Sequence, residues 1–171
     1  MLVRRTAPGD GHGATVLELI VLMVLLLILA AIAIPSISPV VQRIRLRGAA
    51  WQVAGDLRLA RQRAVTLKMG FRICVSPTPS VPNSQCLVNT PTASYGVDRN
   101  TGTALVPSWM SDTGAVVRLP QDVTVSTSAT PVFANTGNTA PAATFTLRNL
   151  IGTYEVRVAA TGRVLVCQGA C

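Results

Sequence analysis

The sequence predicts an α+β protein in which a long N-terminal helix, half transmembrane and half amphipathic, packs on an antiparallel β-sheet head. Three observations predict this class: an apolar run comes first, a helical apolar period follows it, and alternating apolar residues fill the rest. The change from a period of 3.6 to a period of 2 marks the passage from helix to strand. The 171 residues suffice for one domain with an accessory segment.

The apolar run covers residues 14–35 and carries no charge from Leu19 to Ile34. As a helix, residues 14–34 would rise about 31 Å, which matches a bilayer core of about 30 Å. Glu18 is the one carboxylate in this run, and a carboxylate in a membrane helix usually has a partner. Two interpretations stay open for it: snorkelling to the headgroups, and pairing with a positive group of another chain.

Two prolines follow the apolar run. Pro35 and Pro39 each lack a backbone donor and clash with the preceding turn, so we expect the helix to kink or break there. From Val40 to about Lys68 apolar residues recur three and four apart, with arginines on the other faces and Gly70 as the expected stop. The expected segments are a leader at 1–13, a transmembrane and assembly helix at 14–38, an amphipathic helix at 39–70 and a β-rich head at 71–171.

The head shows short runs of alternating apolar and polar residues, separated by turn residues. Residues 149–152 and 159–162 are typical of hairpin loops, which favours antiparallel pairing. The expected strands are 71–75, 94–97, 115–119, 123–126, 131–134, 143–148, 153–158 and 163–167.

Four cysteines follow the apolar run and allow three disulfide pairings. Because they form no CxxC and have no histidine near them, we expect disulfides and no metal site. We favour the two local bridges, Cys74 with Cys86 and Cys167 with Cys171. Disulfides need an oxidising compartment, which places the head outside the cytoplasm.

The composition argues against catalysis and concentrates positive charge in one segment. The only histidine, His12, lies in the leader, which excludes Ser-His-Asp and Cys-His sites from a mature chain. There is no glycine-rich phosphate loop, and we expect no cofactor and no small-molecule substrate. Eight basic residues and one acid lie between Arg43 and Arg72. Two interpretations of this stripe stay open. It is a solvated helix face or a contact with neighbouring subunits, or it is a surface that faces the phosphates of lipid or nucleic acid.

The N-terminal residues resemble the class III prepilin signal, a glycine before a hydrophobic run with a glutamate five residues after it. The resemblance implies cleavage between Gly13 and Ala14 by a prepilin peptidase and N-methylation of Ala14, where the family usually has phenylalanine. It also implies that Glu18 meets the N-terminal amine of a neighbouring subunit. Pro35 stands where many pilins carry a helix-breaking proline.

Two stretches of the head resemble the GspH/FimT group of minor pilins and pseudopilins: AAWQVAGDLRLARQRAVTLKMGFRICVSP and FTLRNLIGTYEVRVAATGRVLVC. The resemblance implies a pilin-like, single-pass protein of the bacterial inner membrane, with its head in the periplasm or outside the cell. The implied function is a subunit that joins other pilins through its N-terminal helix, in a type II secretion pseudopilus or a type IV pilus.

Three alternatives stay open. Some FimT-like proteins bind DNA through a C-terminal GRxR, but only Gly162 and Arg163 match it here, so a DNA contact by Arg163 competes with a plain hairpin turn. The A-x-A pattern at 31–33 suits signal peptidase I and would give a secreted β protein. A plain single-pass anchored protein is the third alternative, since arginines lie on both sides of the apolar run.

Overall fold

The computed structural model describes residues 15–76, 85–103, 106–112 and 116–171, and within them the side chains of all but residues 32–37. The chain divides into two compact units, Met1–Ser38 and Pro39–Cys171. In the described ranges one helix is followed by ten strands. The expected leader and its cleavage point at Gly13 and Ala14 lie outside the described residues.

The helix α1 covers Val16–Leu67. Pro35 lies inside it, so the helix does not break at this residue: a proline removes one backbone donor, and the residues on either side remain helical. The kink that was the other expectation stays a prediction. The helix ends close to the expected Lys68, but the residue that stops it is different. Lys68 adopts a φ of 56° just after Leu67, and this left-handed residue ends the helix where Gly70 had been expected to do so.

In the first unit, the apolar side chains of α1 have no covering partner among the described residues. From Val16 to Leu29 every large apolar side chain is between 50% and 78% exposed. In the part of the chain that the structure describes, no helix is both long enough and apolar enough to cross a membrane.

The second unit contains the strands, all paired antiparallel to their neighbours. One sheet has the order β3-β2-β1-β6-β7 with β4 on β2, and the other has the order β10-β9-β8-β5. The strands are β1 Phe71–Val75, β2 Ser94–Asn100, β3 Trp109–Ser111, β4 Val117–Arg118, β5 Thr124–Thr127, β6 Val132–Phe133, β7 Thr139–Ala140, β8 Ala143–Arg148, β9 Thr153–Val158 and β10 Val164–Gln168.

These strands confirm the predicted α+β class, with differences in detail. The strands β1, β8 and β9 have the predicted bounds, and both predicted hairpin loops are present, with Gly162 N–H donating to the Ala159 carbonyl at 2.8 Å. The strand expected at 115–119 is observed only at Val117–Arg118. Residues 113–115, just before it, lie outside the described ranges. The strands β3 and β7 were not predicted.

The core forms where one face of α1 meets both sheets. The helix contributes mostly small residues, which lets the strands approach its backbone closely, while the sheets contribute large side chains such as Tyr95, Phe71 and Phe145. In β8 burial alternates as the sequence predicted, with Phe145 and Leu147 fully buried. The buried helix residues are Leu46, Ala49, Ala50, Val53, Ala54, Leu57, Ala60 and Ala64.

Both predicted disulfides are confirmed. Cys74 of β1 is bonded to Cys86, with 4.9 Å between their Cα atoms, and Cys167 of β10 is bonded to Cys171, with 5.4 Å between theirs. The first bridge fastens the β1–β2 connection at Cys86 to its sheet, where Cys74 is fully buried. The second joins two cysteines only four positions apart at the exposed C-terminal end.

Candidate functional site

Glu18 lies in the first turn of α1, with an exposed side chain. Its backbone N–H donates to Thr15 Oγ1 at 3.3 Å, which makes Thr15 the N-cap of the helix. Threonine at the cap and glutamate three residues later is the capping-box sequence, and the helix dipole favours a carboxylate at this end. The observed bond uses the backbone N–H of Glu18, so the role added for its side chain is a favourable interaction with this end of the helix. The pattern Thr-x-x-Glu was the signal for it, and the sequence analysis missed it.

The carboxylates of the second unit are all engaged by groups of the same unit. Four of them form a hydrogen bond or an ion pair with a side chain of α1, β1 or β2. The fifth accepts a hydrogen bond from a backbone N–H. This arrangement gives every one of the five a structural partner within the head. The pairs are Asp56 with the Tyr95 hydroxyl, Asp98 with Arg72, Asp112 with Arg63, Asp122 with Arg45 and Glu155 with the Cys171 N–H.

The most buried of the three ion pairs joins Arg72 to Asp98 across the β1–β2 ladder. Arg72 Nε donates to Asp98 Oδ2 at 2.9 Å, and the guanidinium lies 4.5 Å from the centre of the Trp109 ring. Burial raises the pKa of Asp98, and the hydrogen bond and charge of Arg72 oppose this rise. The cluster therefore fixes the register of three strands, β1, β2 and β3, around one desolvated charge pair.

A cluster of Cys74, Cys86 and Asp98 is the one group of potential metal ligands among the residues searched, with ligand atoms within 4.8 Å of one another. Both sulfurs belong to a disulfide, so neither is a thiolate that could bind a metal ion. Tyr95, nearby on β2, has a pKa raised by burial first, and then by its hydrogen bond to Asp56 and the charge of that carboxylate.

Gly162, the first residue of the partial GRxR match, has a structural reason to be glycine. Its φ is +77°, and a Cβ there would lie 2.2 Å from the Gly137 carbonyl oxygen and 2.7 Å from Arg61 Nε. Arg61 occupies this position because its guanidinium donates to the carbonyls of Gly137, at 2.9 Å, and Thr161, at 3.3 Å. The favoured interpretation of Gly162 as a hairpin residue is thus supported by its geometry.

We expect Gly162→Ala to destabilise the head by about 2 kcal/mol, because the left-handed backbone and the clash with the Gly137 carbonyl act together. The measurement is the thermal unfolding midpoint of the detergent-solubilised full chain. Gly152→Ala is the control, since a Cβ there meets nothing within 4 Å and its φ is not left-handed. Equal midpoints for the two variants would contradict this account of the turn.

Arg163 lies beside two arginines of α1, which the sequence did not reveal. Arg58, Arg61 and Arg163 line a cavity of about 500 Å³ with Gln62 and Thr161. Because Arg61 is bound to two backbone carbonyls, the cavity leaves the guanidiniums of Arg58 and Arg163 to meet a ligand.

A second basic cavity lies farther towards the start of the head helix. It has a volume of about 380 Å³, and Arg43 and Arg47, one helical turn apart, line it together with Tyr154 and Gln168. Neither arginine forms an ion pair with a carboxylate in the described ranges. Two like charges at this spacing repel each other weakly, so an anion here would be stabilising.

The fold is shared with minor pilins and pseudopilins of known structure. The minor pseudopilin EpsH of the Vibrio cholerae type II secretion system aligns with a TM-score of 0.54 and 9% identity over 72% of this chain and 97% of that one. The type IV minor pilin FimU of Pseudomonas aeruginosa aligns with a TM-score of 0.51 and 16% identity over 74% of this chain and 90% of that one. At these identities the likeness establishes the fold alone.

The sequence comparison establishes the family. No curated protein matches the chain. The family described as type II transport protein GspH matches residues 49–162, which include α1 from Ala49 to its end and all strands except β10. Because this match covers more than half of the chain, the protein belongs to the GspH family of pilin-like subunits.

Proposed function

We propose that the chain is a minor pilin or pseudopilin subunit that assembles through its N-terminal helix into a type II secretion pseudopilus or a type IV pilus. The observation that carries the proposal is the joining of a GspH head to an apolar helix whose side chains are exposed from Val16 to Leu29. EpsH and FimU, which share the fold, are by name a minor pseudopilin and a minor pilin. We expect no catalytic activity, since the head's carboxylates serve structural partners.

The apolar helix needs a covering for its side chains, and we assign the inner membrane before assembly and neighbouring helices after it. Exposed apolar side chains along a helix of this kind are stable in lipid or against other apolar helices. The head belongs on the periplasmic or extracellular side, because its two disulfides form and persist in an oxidising compartment.

Glu18 is proposed to act in assembly through its charge. Removal of residues 1–13 by prepilin peptidase would free the amine of Ala14, four residues before Glu18. A carboxylate and an ammonium of adjacent subunits attract strongly where water is scarce. Within one chain the same carboxylate lies in the first turn of α1, so the helix end presents it outward to a neighbour.

We expect the intact mass of membrane-extracted protein to correspond to a chain that begins at Ala14 and carries one methyl group. We expect this because Gly13, the apolar run and Glu18 have the arrangement of the prepilin signal. A chain that begins at Ile34 would instead establish the secreted β protein, and an uncleaved chain would establish a plain membrane anchor.

DNA is a second candidate partner, favoured by one observation. Arg163 shares its cavity with Arg58 and Arg61, so the partial GRxR residue has basic neighbours that the sequence did not show. We rank this function second, because affinity for a phosphate backbone scales with the number of phosphates neutralised, and Arg61 already serves two carbonyls.

A further inference from the structure

The face of α1 that points away from the core carries no charged residue along its centre. Residues 44, 48, 51, 55 and 59 follow one another at spacings of four and three, on the side opposite to buried residues such as Val53 and Leu57. We call this set the outer ridge: Ile44, Gly48, Trp51, Gly55 and Leu59. Its three large side chains are 66%, 49% and 42% exposed, whereas the outward face of an amphipathic helix is normally polar.

The two glycines of the outer ridge have no function within the head. A Cβ at Gly48 or at Gly55 would meet nothing within 4 Å, so no packing requires glycine at either position. Glycine in a helix interior is destabilising relative to alanine, so its presence needs a reason outside the fold. Close approach of another backbone is such a reason.

The arginines on the two sides of the outer ridge differ in their partners. On one side Arg45 and Arg63 are neutralised by Asp122 and Asp112 of the head. On the other side lie Arg43, Arg47 and Arg58, which we call the basic flank. None of these three has a carboxylate partner in the described part of the chain.

Two further features belong to the basic flank. The Arg58 guanidinium lies 6.0 Å from the centre of the Trp51 ring, at the outer range of a cation–π contact, so it helps to hold Trp51 on the ridge. The two basic cavities, of about 380 and 500 Å³, lie on this same side of the helix and are bordered by Arg43, Arg47 and Arg58. They provide room for acidic side chains beside the ridge.

The charge of the head decides which partner fits. From Pro39 to the C-terminus there are thirteen basic and five acidic residues, and all five acids are engaged within the head. A second copy of the head would therefore bring a like charge and no available carboxylate to the basic flank. A phosphate backbone would neutralise the flank but leave Ile44, Trp51 and Leu59 without an apolar cover.

We propose that the outer ridge and basic flank dock an α-helix of a different pilin subunit, one that presents carboxylates along one edge of an apolar face. The proposal rests on the proposed function, and it adds the partner's chemistry and the head surface that binds it. Trp51 provides the aromatic anchor, the glycines let the backbones approach, and the flank fixes orientation by charge.

The first test replaces Ile44 with a photo-crosslinking benzophenone amino acid in the full chain, expressed in its own host. A matched probe at Leu150, which is 90% exposed on a loop of the head, is the control. We expect the Ile44 probe to crosslink to a different pilin, at a peptide with acidic residues at helical spacing. An adduct with a second copy, with nucleic acid or with lipid would overturn the proposal, as would no adduct from chains present in the filament.

The second test separates docking from folding. We expect Gly55→Gln to raise the unfolding midpoint of the full chain by about 3 °C, because glutamine is the better helix former, yet to lower the incorporated fraction about tenfold. Gly55→Ala should give a similar gain in stability with a smaller loss of incorporation. Unchanged incorporation of the Gln variant would contradict the proposal.

Charge reversal tests the basic flank and separates this proposal from the one on which it rests. Arg47→Glu should lower incorporation several-fold, and Arg118→Glu, at an exposed position of β4, should not. If both incorporate normally while Glu18→Gln fails to, the docking surface is wrong and the filament function stands. If the wild-type chain is absent from filaments, the docking proposal and the proposed filament function both fail.

Discussion

Replacement of Glu18 by glutamine is expected to lower the share of the chain in filaments at least about tenfold, while the chain stays cleaved, membrane-inserted and folded in its head. A unit charge pair 4 Å apart is worth about 4 kcal/mol at an effective dielectric constant of 20, and about 1.4 kcal/mol already corresponds to a factor of ten. The head should keep its resistance to protease, because Glu18 belongs to the other compact unit of the chain.

The Glu18→Gln variant also separates the effect of the Glu18 charge from the effect of helix capping. Thr15 caps the helix end that contains Glu18, and glutamine at the third helical position suits a capping box as glutamate does. Glu18→Ala keeps the backbone N–H that Thr15 caps but removes both the charge and the side chain of the capping box, and it should do at least as badly. The measurement is the amount of subunit in sheared filaments relative to the amount in the membrane. If both variants were incorporated normally, Glu18 would only snorkel to the headgroups and its proposed role in assembly would be lost.

Removal of the Cys74–Cys86 bridge is expected to have the largest effect on the stability of the head. A loop with twelve residues of separation corresponds to about 3 kcal/mol in the chain-entropy account. Because Cys74 is fully buried in β1, the double variant Cys74→Ala/Cys86→Ala also removes packing atoms from the core. For a head of this size we expect the unfolding midpoint to fall by about 10 °C.

The second bridge is the natural control. Cys167 and Cys171 are only four residues apart, so their removal should cost about 2 kcal/mol or less, and the loop they close lies at the exposed end of β10. Equal effects of the two double variants would contradict this ranking. Non-reducing peptide mapping tests the pairing itself, which a peptide joining Cys74 to Cys171 would contradict.

The sequence could predict those parts of the fold that depend on local periodicity. In β1, β8 and β9 the apolar residues alternate over five or six positions, and these strands have the predicted bounds. The strands β3 and β7 have three and two residues, too few for a period to be visible. They exist because β2 and β6 present ladder partners to them, which is a property of the folded head.

The surface contacts of the head could be predicted less well from the sequence, because they join residues that are distant in sequence. The arginine stripe was visible, but whether an arginine is neutralised depends on partners such as Asp112, which is 49 residues from Arg63. Arg163 comes to lie beside Arg58 only through the packing of the last hairpin on α1. The residue that stops the helix is Lys68 and not the expected Gly70, since a left-handed Lys68 is not expected from residue type.

The central claim is that a mature chain beginning at Ala14 is built into a pilus-class filament through its N-terminal helix. Its most direct test is mass spectrometry of the N-terminal peptide of this chain in filaments purified from the native host. The account predicts a peptide that begins at Ala14, carries one methyl group and is enriched in filaments relative to soluble periplasm. A chain that begins at Ile34, found in the soluble periplasm and absent from filaments, would contradict it.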